Sequence, residues 1–592
     1  MTPPPFETFF LPAGGSGQRY CVFHPALGPA AKGAIVFVHP FAEEMNKSRR
    51  MAALQSRAMS DAGYAVLRID LLGCGDSSGD FGDASWQAWI DDVLLGCRWI
   101  SERVTAPLWI WGLRAGCLLA AQAARLLPAP PHLLLWAPVI SGKQGLQQFL
   151  RLKAAADLAS GNAKEVLEQM RTDLAQGRPV EIAGYMLPAG IADGLVHASL
   201  EPPAQAHRAC RVEWLELTTR DDGVLSPVAI RTLAAWNAVD GVEARGHMAQ
   251  GPAFWQTSEI EDAPALVAAT MAALTGASAA VSHPAVPAAA PTAQRPQGAA
   301  ARVQEQALVF ECSGEHLAGI LTTPDEASAG GVERGKLGLV VVVGGPQYRV
   351  GSHRQFRLLA RTVAEAGFPV LRFDVRGMGD STGDLKSFEH ITPDIGAAID
   401  ALHQYAPQVQ RVALWGLCDG ASAALLYCHD TRDERVHGLC LLNPWVRSEA
   451  SLARTHVKHY YADRLRQKEF WTKLLTGKVA MSALAELWRN LRATLAGHRS
   501  GTGTQPSAAP FQDRMARGWR QFRGSVQVLL SGRDYTAREF LEYAAREPAW
   551  NGWSETATTA RKDLPEADHT FSTAADRSEV ERLTIRWLRG LL

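Results

Sequence analysis

Short, almost purely apolar runs recur along this chain at intervals too long for hairpins, and segments with helical periodicity fill the gaps. In the second half the runs are 339–343, 370–373, 412–415, 438–442 and 526–530. Continuous Val/Leu stretches of that length fit parallel strands buried on both faces. Between them, residues 354–366, 388–405 and 421–429 read as helices. Such alternation predicts an α/β fold with a mainly parallel, doubly wound sheet, whose ligands sit outside the carboxyl ends of the strands. After the fourth run comes a long insertion rich in Lys, Arg, Leu and Ala, from 446 to about 518, and the first half has its equivalent from 140 to about 207. Both read as helical lids over the active edge.

The halves repeat one another. GYAVLRIDLLGCGDSSGD at 63–80 and GFPVLRFDVRGMGDSTGD at 367–384 share eleven of eighteen positions at an offset of 304 residues. The same offset aligns WGLRAG at 111–116 with WGLCDG at 415–420. Two matches in one register mean a duplicated architecture. An Ala/Pro tract between the copies has almost no large apolar side chains, so it cannot offset its ordering entropy and reads as a linker. The organisation expected is one domain over 1–275, a linker over 276–304 and a second domain over 305–592.

A length of 592 residues agrees with two cores rather than one. Sixty basic and sixty acidic residues give no electrostatic case for nucleic acid or an anionic membrane. No stretch has the length of an apolar membrane span, and the Pro-rich start lacks the pattern of a secretory signal. The nine cysteines are scattered, odd in number and never at metal-like spacing. They read as reduced thiols of a cytoplasmic protein, and nothing calls for a metal or another cofactor.

The chemistry concentrates at Gly416-Leu417-Cys418-Asp419-Gly420, directly after one apolar run and before a helical one. This is the G-x-S-x-G nucleophile elbow with cysteine in the serine place. Small flanking residues are required because the backbone passes close to its neighbours. The helix start offers amides and a positive dipole end to an oxyanion, which would also lower the thiol pKa. The plainer alternative, a free cysteine as a small buried apolar residue, is how most free cysteines behave. The rest of the sequence argues against it, because an acid and a histidine follow in the required order. Asp534 falls on a loop after the run 526–530, and His569 on a loop before a closing helix at 578–592. His569 would move the thiol proton and Asp534 would hold its tautomer. Adjacent Asp568 reads as a turn residue.

The oxyanion hole would combine the Asp419 amide with one from the loop 344–349. There Pro346 has no N–H, leaving Gln347 or a glycine such as Gly345 to donate. Arg349, His353 and Arg354 lie nearby and read as solvated surface.

In the first half the elbow carries Arg114, which stays protonated and cannot be an acyl nucleophile. Cys117 lies three residues further on. Asp221 matches Asp534, and His247 could be a histidine remnant. The loop His39-Pro40-Phe41-Ala42-Glu43-Glu44 brings two carboxylates near, so Glu43 or Glu44 would pair with Arg114. This half reads as a degenerate site.

At these motifs the chain resembles the exosortase A system-associated hydrolases 1 and 2, which are α/β-hydrolase-like proteins. The first half is similar to hydrolase 2 through HPFAEEMNKSRR (39–50), LLGCGDSSG (71–79), GLRAG and PAFWQTSEIE (252–261). The second is similar to hydrolase 1 through GGPQYRVGSHRQF (344–356), FDVRGMGDSTG (373–383), GLCDG and ADHTFS (567–572). The resemblance implies two tandem α/β-hydrolase-like domains in a cytoplasmic protein of surface-polymer assembly, acting on an acyl or related ester. It supplies no substrate.

The leading expectation is thus an esterase or thioesterase working through a Cys418 acyl-enzyme on a small ester or thioester. Acyl transfer to a sugar or carrier differs only in what intercepts the thioester, and would need water excluded by the lid. The lid cations Arg447, Arg454, Lys458, Arg464, Arg466 and Lys468, with Tyr460 and Tyr461, would suit an anionic carrier; a solvated helix face explains them equally. A non-catalytic binding or scaffold protein is the third reading, closest for the first half.

Overall fold

The computed structural model describes residues 4–156, 163–203, 210–221, 223–257, 259–276, 303–325, 334–447, 509–556 and 558–592. The first half contributes ten strands: β1 (Glu7–Pro12), β2 (Gln18–His24), β3 (Gly33–Val38), β4 (Tyr64–Ile69), β5 (Leu108–Leu113), β6 (His132–Trp136), β7 (Val180–Ile182), β8 (Tyr185–Leu187), β9 (Cys210–Thr218) and β10 (Val242–Gln250). The second contributes β11 (Val303–Cys312), β12 (Glu315–Pro324), β13 (Leu337–Val342), β14 (Val370–Phe373), β15 (Arg411–Leu417), β16 (Val436–Leu442), β17 (Ser525–Ser531) and β18 (Thr559–Leu564).

Two eight-stranded sheets result, ordered β1-β2-β4-β3-β5-β6-β9-β10 and β11-β12-β14-β13-β15-β16-β17-β18. Each opens with an antiparallel hairpin whose second strand also runs antiparallel to its next neighbour, β4 or β14, and the pairings from there onward are parallel. The five apolar runs expected in the second half are all strands. β13 reads LGLVVV and is buried at every position, as a strand covered by helices on both faces must be. Each sheet carries one apolar cluster per face. The hairpin β11–β12 and the last strand β18 were not expected. β18 reads TARKDL and is largely exposed, so it lacks an apolar run.

The chain leaves β13 for β14 on one side and returns to β15 on the other. That reversal is the switch point, at the carboxyl ends of β13 and β15, where a doubly wound sheet binds its ligand. The lid of the first half is not purely helical: helices Gly142–Ala156, Ala163–Ala175 and Ala189–His197 are joined by the antiparallel pair β7–β8. The cationic part of the second lid from Arg454 to Lys468 lies outside the described residues, as does nearly all of the 276–304 tract; β11 already begins at Val303. Among the described residues no helix is long and apolar enough to cross a membrane.

The halves meet through a buried charge cluster that the duplicated G-x-G-D-S-x-G-D segments build. Asp380 accepts from Arg49 Nε (2.8 Å) and Nη2 (2.7 Å), from Arg68 Nη1 (2.7 Å) and from Arg349 Nη1 (2.9 Å). Its counterpart Asp76 accepts from Arg372 Nη1 at 2.9 Å and lies 2.9 Å from Arg349 Nη2. Arg68 and Arg372 stand at the same offset of 304, so the contact has approximate two-fold character. Burial alone would raise the pKa of Asp380, but Arg49, Arg68 and Arg349 hold it well below the carboxylate range. Phe6, Tyr20 and Val22 pack on Ala318 and Ile320 beside the cluster.

Candidate active site

Cys418 follows β15 and precedes the helix Asp419–Thr431, with φ 59° and ψ −125°. A non-glycine residue there is strained by about 1–3 kcal/mol and persists only where its surroundings hold it. They do so by close packing. A Cβ on Gly416 would come within 2.5 Å of Gly420, and one on Gly420 within 2.4 Å of the Val342 carbonyl oxygen. The Cys418 amide donates to Leu442 O at 2.8 Å. The elbow is therefore as the sequence predicts, although the thiol is not a ready thiolate. Burial pushes its pKa well above the ordinary value, and the Asp419 carboxylate adds to that.

Asp534 caps the helix Tyr535–Arg546, accepting from the amides of Thr536 and Ala537 at 3.1 Å each. Its Oδ2 also accepts from His569 Nδ1 at 2.9 Å. Burial would raise this carboxyl, but the bond and charge of His569, followed by the two amides, bring it below its ordinary value. A proton held on Nδ1 leaves Nε2 as the basic nitrogen. Cys418 and His569 are not hydrogen-bonded to each other in this conformation. Asp568 accepts from the amides of Thr570 (3.1 Å) and Ser572 (2.9 Å), as a turn residue does.

Sequence reasoning missed Asn443, which follows β16 with φ 44° and is fully buried. Its Nδ2 donates to Ser531 Oγ (2.9 Å) and to the His569 carbonyl oxygen (3.1 Å), while its Oδ1 accepts from the Ser531 amide (2.9 Å). One side chain thus ties the acid loop to the histidine loop. The only sequence signal was an asparagine directly after an apolar run.

The oxyanion side differs from expectation. Gly345 N–H, a candidate donor, donates instead to Asp419 Oδ2 at 2.7 Å. Burial pushes the Asp419 carboxyl up to about 6, against the lowering effect of the Gly345, Asp419 and Gly420 amides. Two of the three amides named from the sequence thus face a carboxylate. Gln347 N–H has no partner among the described residues, while its side chain clips Ser352: Nε2 donates to Ser352 Oγ (2.9 Å) and Oε1 accepts from Ser352 N (3.0 Å). Arg349, His353 and Arg354 are buried rather than solvated, because the first half covers them.

In the first half Arg114 adopts the same strained elbow, φ 54°, without a nucleophile. Its Nε donates to Glu44 Oε1 at 3.3 Å and its guanidinium lies over Trp255, 5.2 Å from the ring centroid. Glu43 is not part of that pair: Oε2 accepts from Tyr185 O–H (2.9 Å) and Asn46 Nδ2 (3.0 Å). Cys117 is buried in the helix Gly116–Leu126, where burial raises its thiol. The supposed remnants are apart. His247 lies inside β10 with Nε2 2.6 Å from Glu213, and Asp221 accepts from Gln250 at 2.9 Å. Among the described residues no group of His, Cys, Asp and Glu could hold a metal ion.

The family model described as Hydrolase_4, serine aminopeptidase S33, matches residues 29–199 and 337–494, more than half of the chain. No curated protein matches. Similar solved structures include an esterase of Pyrococcus furiosus, at 13% identity over 48% of this chain and 92% of that one, with TM-score 0.31. An α/β serine hydrolase homologue of Coxiella burnetii is 14% identical over 48% and 97%, with TM-score 0.29. A dienelactone hydrolase of Anabaena variabilis is 14% identical over 49% and 99%, with TM-score 0.31.

Proposed function

Because this chain belongs to the α/β-hydrolase family described as serine aminopeptidase, S33, we propose that its second half is an acyl hydrolase using Cys418 as nucleophile, His569 as base and acid, and Asp534 as orienting group. The observation that carries this reading is the 2.9 Å bond from His569 Nδ1 to Asp534 at the same sheet edge as the strained Cys418 elbow.

The raised thiol pKa shapes the mechanism. At neutral pH Cys418 is protonated, so Sγ attacks the acyl carbon as His569 Nε2 removes the proton. The carbonyl oxygen becomes an oxyanion, for which Gln347 N–H is the available donor. Collapse expels the alcohol or thiol, which leaves with the proton returned by His569. Water then attacks the thioester on Cys418 while His569 takes its proton, the C–S bond breaks as that proton passes to Cys418 Sγ, and the acid is released with the thiol restored. Asp534 stays ionised throughout and stabilises the imidazolium.

The first half, with Arg114 at its elbow, does no acyl chemistry in this reading. We connect the ester with surface-polymer assembly on the strength of the motifs at 39–50 and 344–356 alone. The test is steady-state hydrolysis of p-nitrophenyl esters and acyl thioesters of graded chain length. Wild type should turn over at least one of them and Cys418→Ala none. Equal turnover by both would end the proposal.

A further inference from the structure

The loop after β13, which carries the oxyanion donor, is held by residues of the other half of the chain. Its backbone turns through positive φ at four positions, Gly345 (φ 64°), Gly351 (φ 76°), His353 (φ 41°) and Arg354 (φ 65°). The last two are non-glycine residues in the left-handed region, a cost that surrounding contacts must offset. Those contacts come from the first half. The Arg354 guanidinium donates to the carbonyl oxygens of Gly73 (2.8 Å), Gly75 (3.0 Å) and Gly79 (2.8 Å), and also to that of Ser77. Asn46 Nδ2 donates to Gly351 O at 3.2 Å. The turn between β7 and β8 lies on the His353 ring, where a Cβ on Gly184 would come within 2.5 Å.

Hydrogen-bond direction identifies the element with the greatest leverage. Ser352 Oγ accepts from Gln347 Nε2, so its single proton is free for Glu43 Oε1, 3.4 Å away. Tyr185 and Asn46 donate to the other oxygen of Glu43. The hydrogen-bond partners of this carboxylate, the His353 amide among them, are all donors, and the line Tyr185–Glu43–Ser352–Gln347 ends at the residue whose amide is the proposed oxyanion donor.

We infer that Glu43 of the first half is a positioning residue for acyl chemistry in the second: through Ser352 it sets where Gln347 lies. This rests on the Cys418 reading, and it assigns the degenerate half a part in the reaction. Duplication without a second nucleophile follows naturally, since one copy serves as a brace for the other.

The test measures pre-steady-state acylation by p-nitrophenyl acetate in the full chain. Glu43→Gln replaces an acceptor oxygen with a donor, and Ser352→Ala removes the relay. Each should slow acylation about tenfold, below the 10²–10³-fold cost of deleting an oxyanion donor, with KM within about twofold. The double variant should lose little more than either single one, because both break one line. Asp262→Ala, which removes the exposed partner of Arg50 within the first half, should acylate at the wild-type rate. If Glu43→Gln fails to fold, Ser352→Ala carries the test. Wild-type acylation in Ser352→Ala or in a folded Glu43→Gln, with Cys418→Ala inactive, would overturn the positioning role and leave the Cys418 reading standing. A wild type that forms no acyl adduct, or an active Cys418→Ala, would instead remove the functional reading itself.

Discussion

Replacing Asp380 by alanine should cost more stability than almost any other single surface-to-core change in this protein. Its carboxylate accepts four bonds of 2.7–2.9 Å from three arginines and is fully buried. Breaking a buried ion pair by removing one partner costs about 3–5 kcal/mol, because the other charge stays buried without compensation. Here three guanidiniums lose a shared acceptor. Arg49 keeps Asp70, and Arg349 keeps Asp374 and lies near Asp76, whereas Arg68 keeps only a long 3.5 Å contact to His24. We therefore expect about 4 kcal/mol, a large share of the roughly 5–15 kcal/mol typical of a folded domain. Urea unfolding followed by tryptophan fluorescence measures it, with Asp262→Ala as the exposed control. Asp262 pairs with Arg50 while 38% exposed, so its loss should cost about 1 kcal/mol or less. The sign with pH follows as well. A carboxyl held below its unfolded pKa stabilises at neutral pH, and that contribution fades as pH falls through the folded value. Indistinguishable unfolding of Asp380→Ala and Asp262→Ala would refute the claim that this cluster holds the halves together.

Asp419→Asn should lower the Cys418 thiol pKa, since the neighbouring charge is one of its raising causes; iodoacetamide labelling would then rise at lower pH than in wild type. The same carboxyl, pushed up to about 6, favours its protonated form when folded, so its contribution to stability is lost as pH rises from about 4 to 6; Asp419→Asn should flatten that slope in pH-dependent melting. Asn443→Ala strands the Ser531 amide and frees the His569 loop, so it should cost about 1–3 kcal/mol in unfolding experiments and lower kcat more than it raises KM. Adding Arg114→Ser to Cys418→Ala should restore no esterase activity, because His247 and Asp221 are engaged elsewhere in the first half.

The parts of this molecule that sequence could reveal are those governed by local rules. Apolar runs marked the central strands, the small residues around Cys418 marked its strand-to-helix turn, and Asp534 and His569, proposed from their order, lie on two loops that meet through a hydrogen bond. What escaped were relations across the halves. Asp76 and Asp380 were not singled out as charge partners and Arg349 and Arg354 read as solvated charges, since nothing local to a polar residue says that a segment some 300 positions away will cover it. Asn443 escaped because its partners come from two later loops. The thiolate expectation failed for a comparable reason. The helix dipole at Cys418 is a local feature, whereas the burial and the Asp419 charge that outweigh it depend on how the Gly345 loop folds back.

The most direct measurement of the central claim is intact-mass analysis after brief exposure to p-nitrophenyl acetate. One acetyl group is expected on wild type, mapping to the peptide that contains Cys418, with none on Cys418→Ala and strongly slowed labelling in His569→Ala. Labelling of Cys418→Ala equal to that of wild type would contradict the claim.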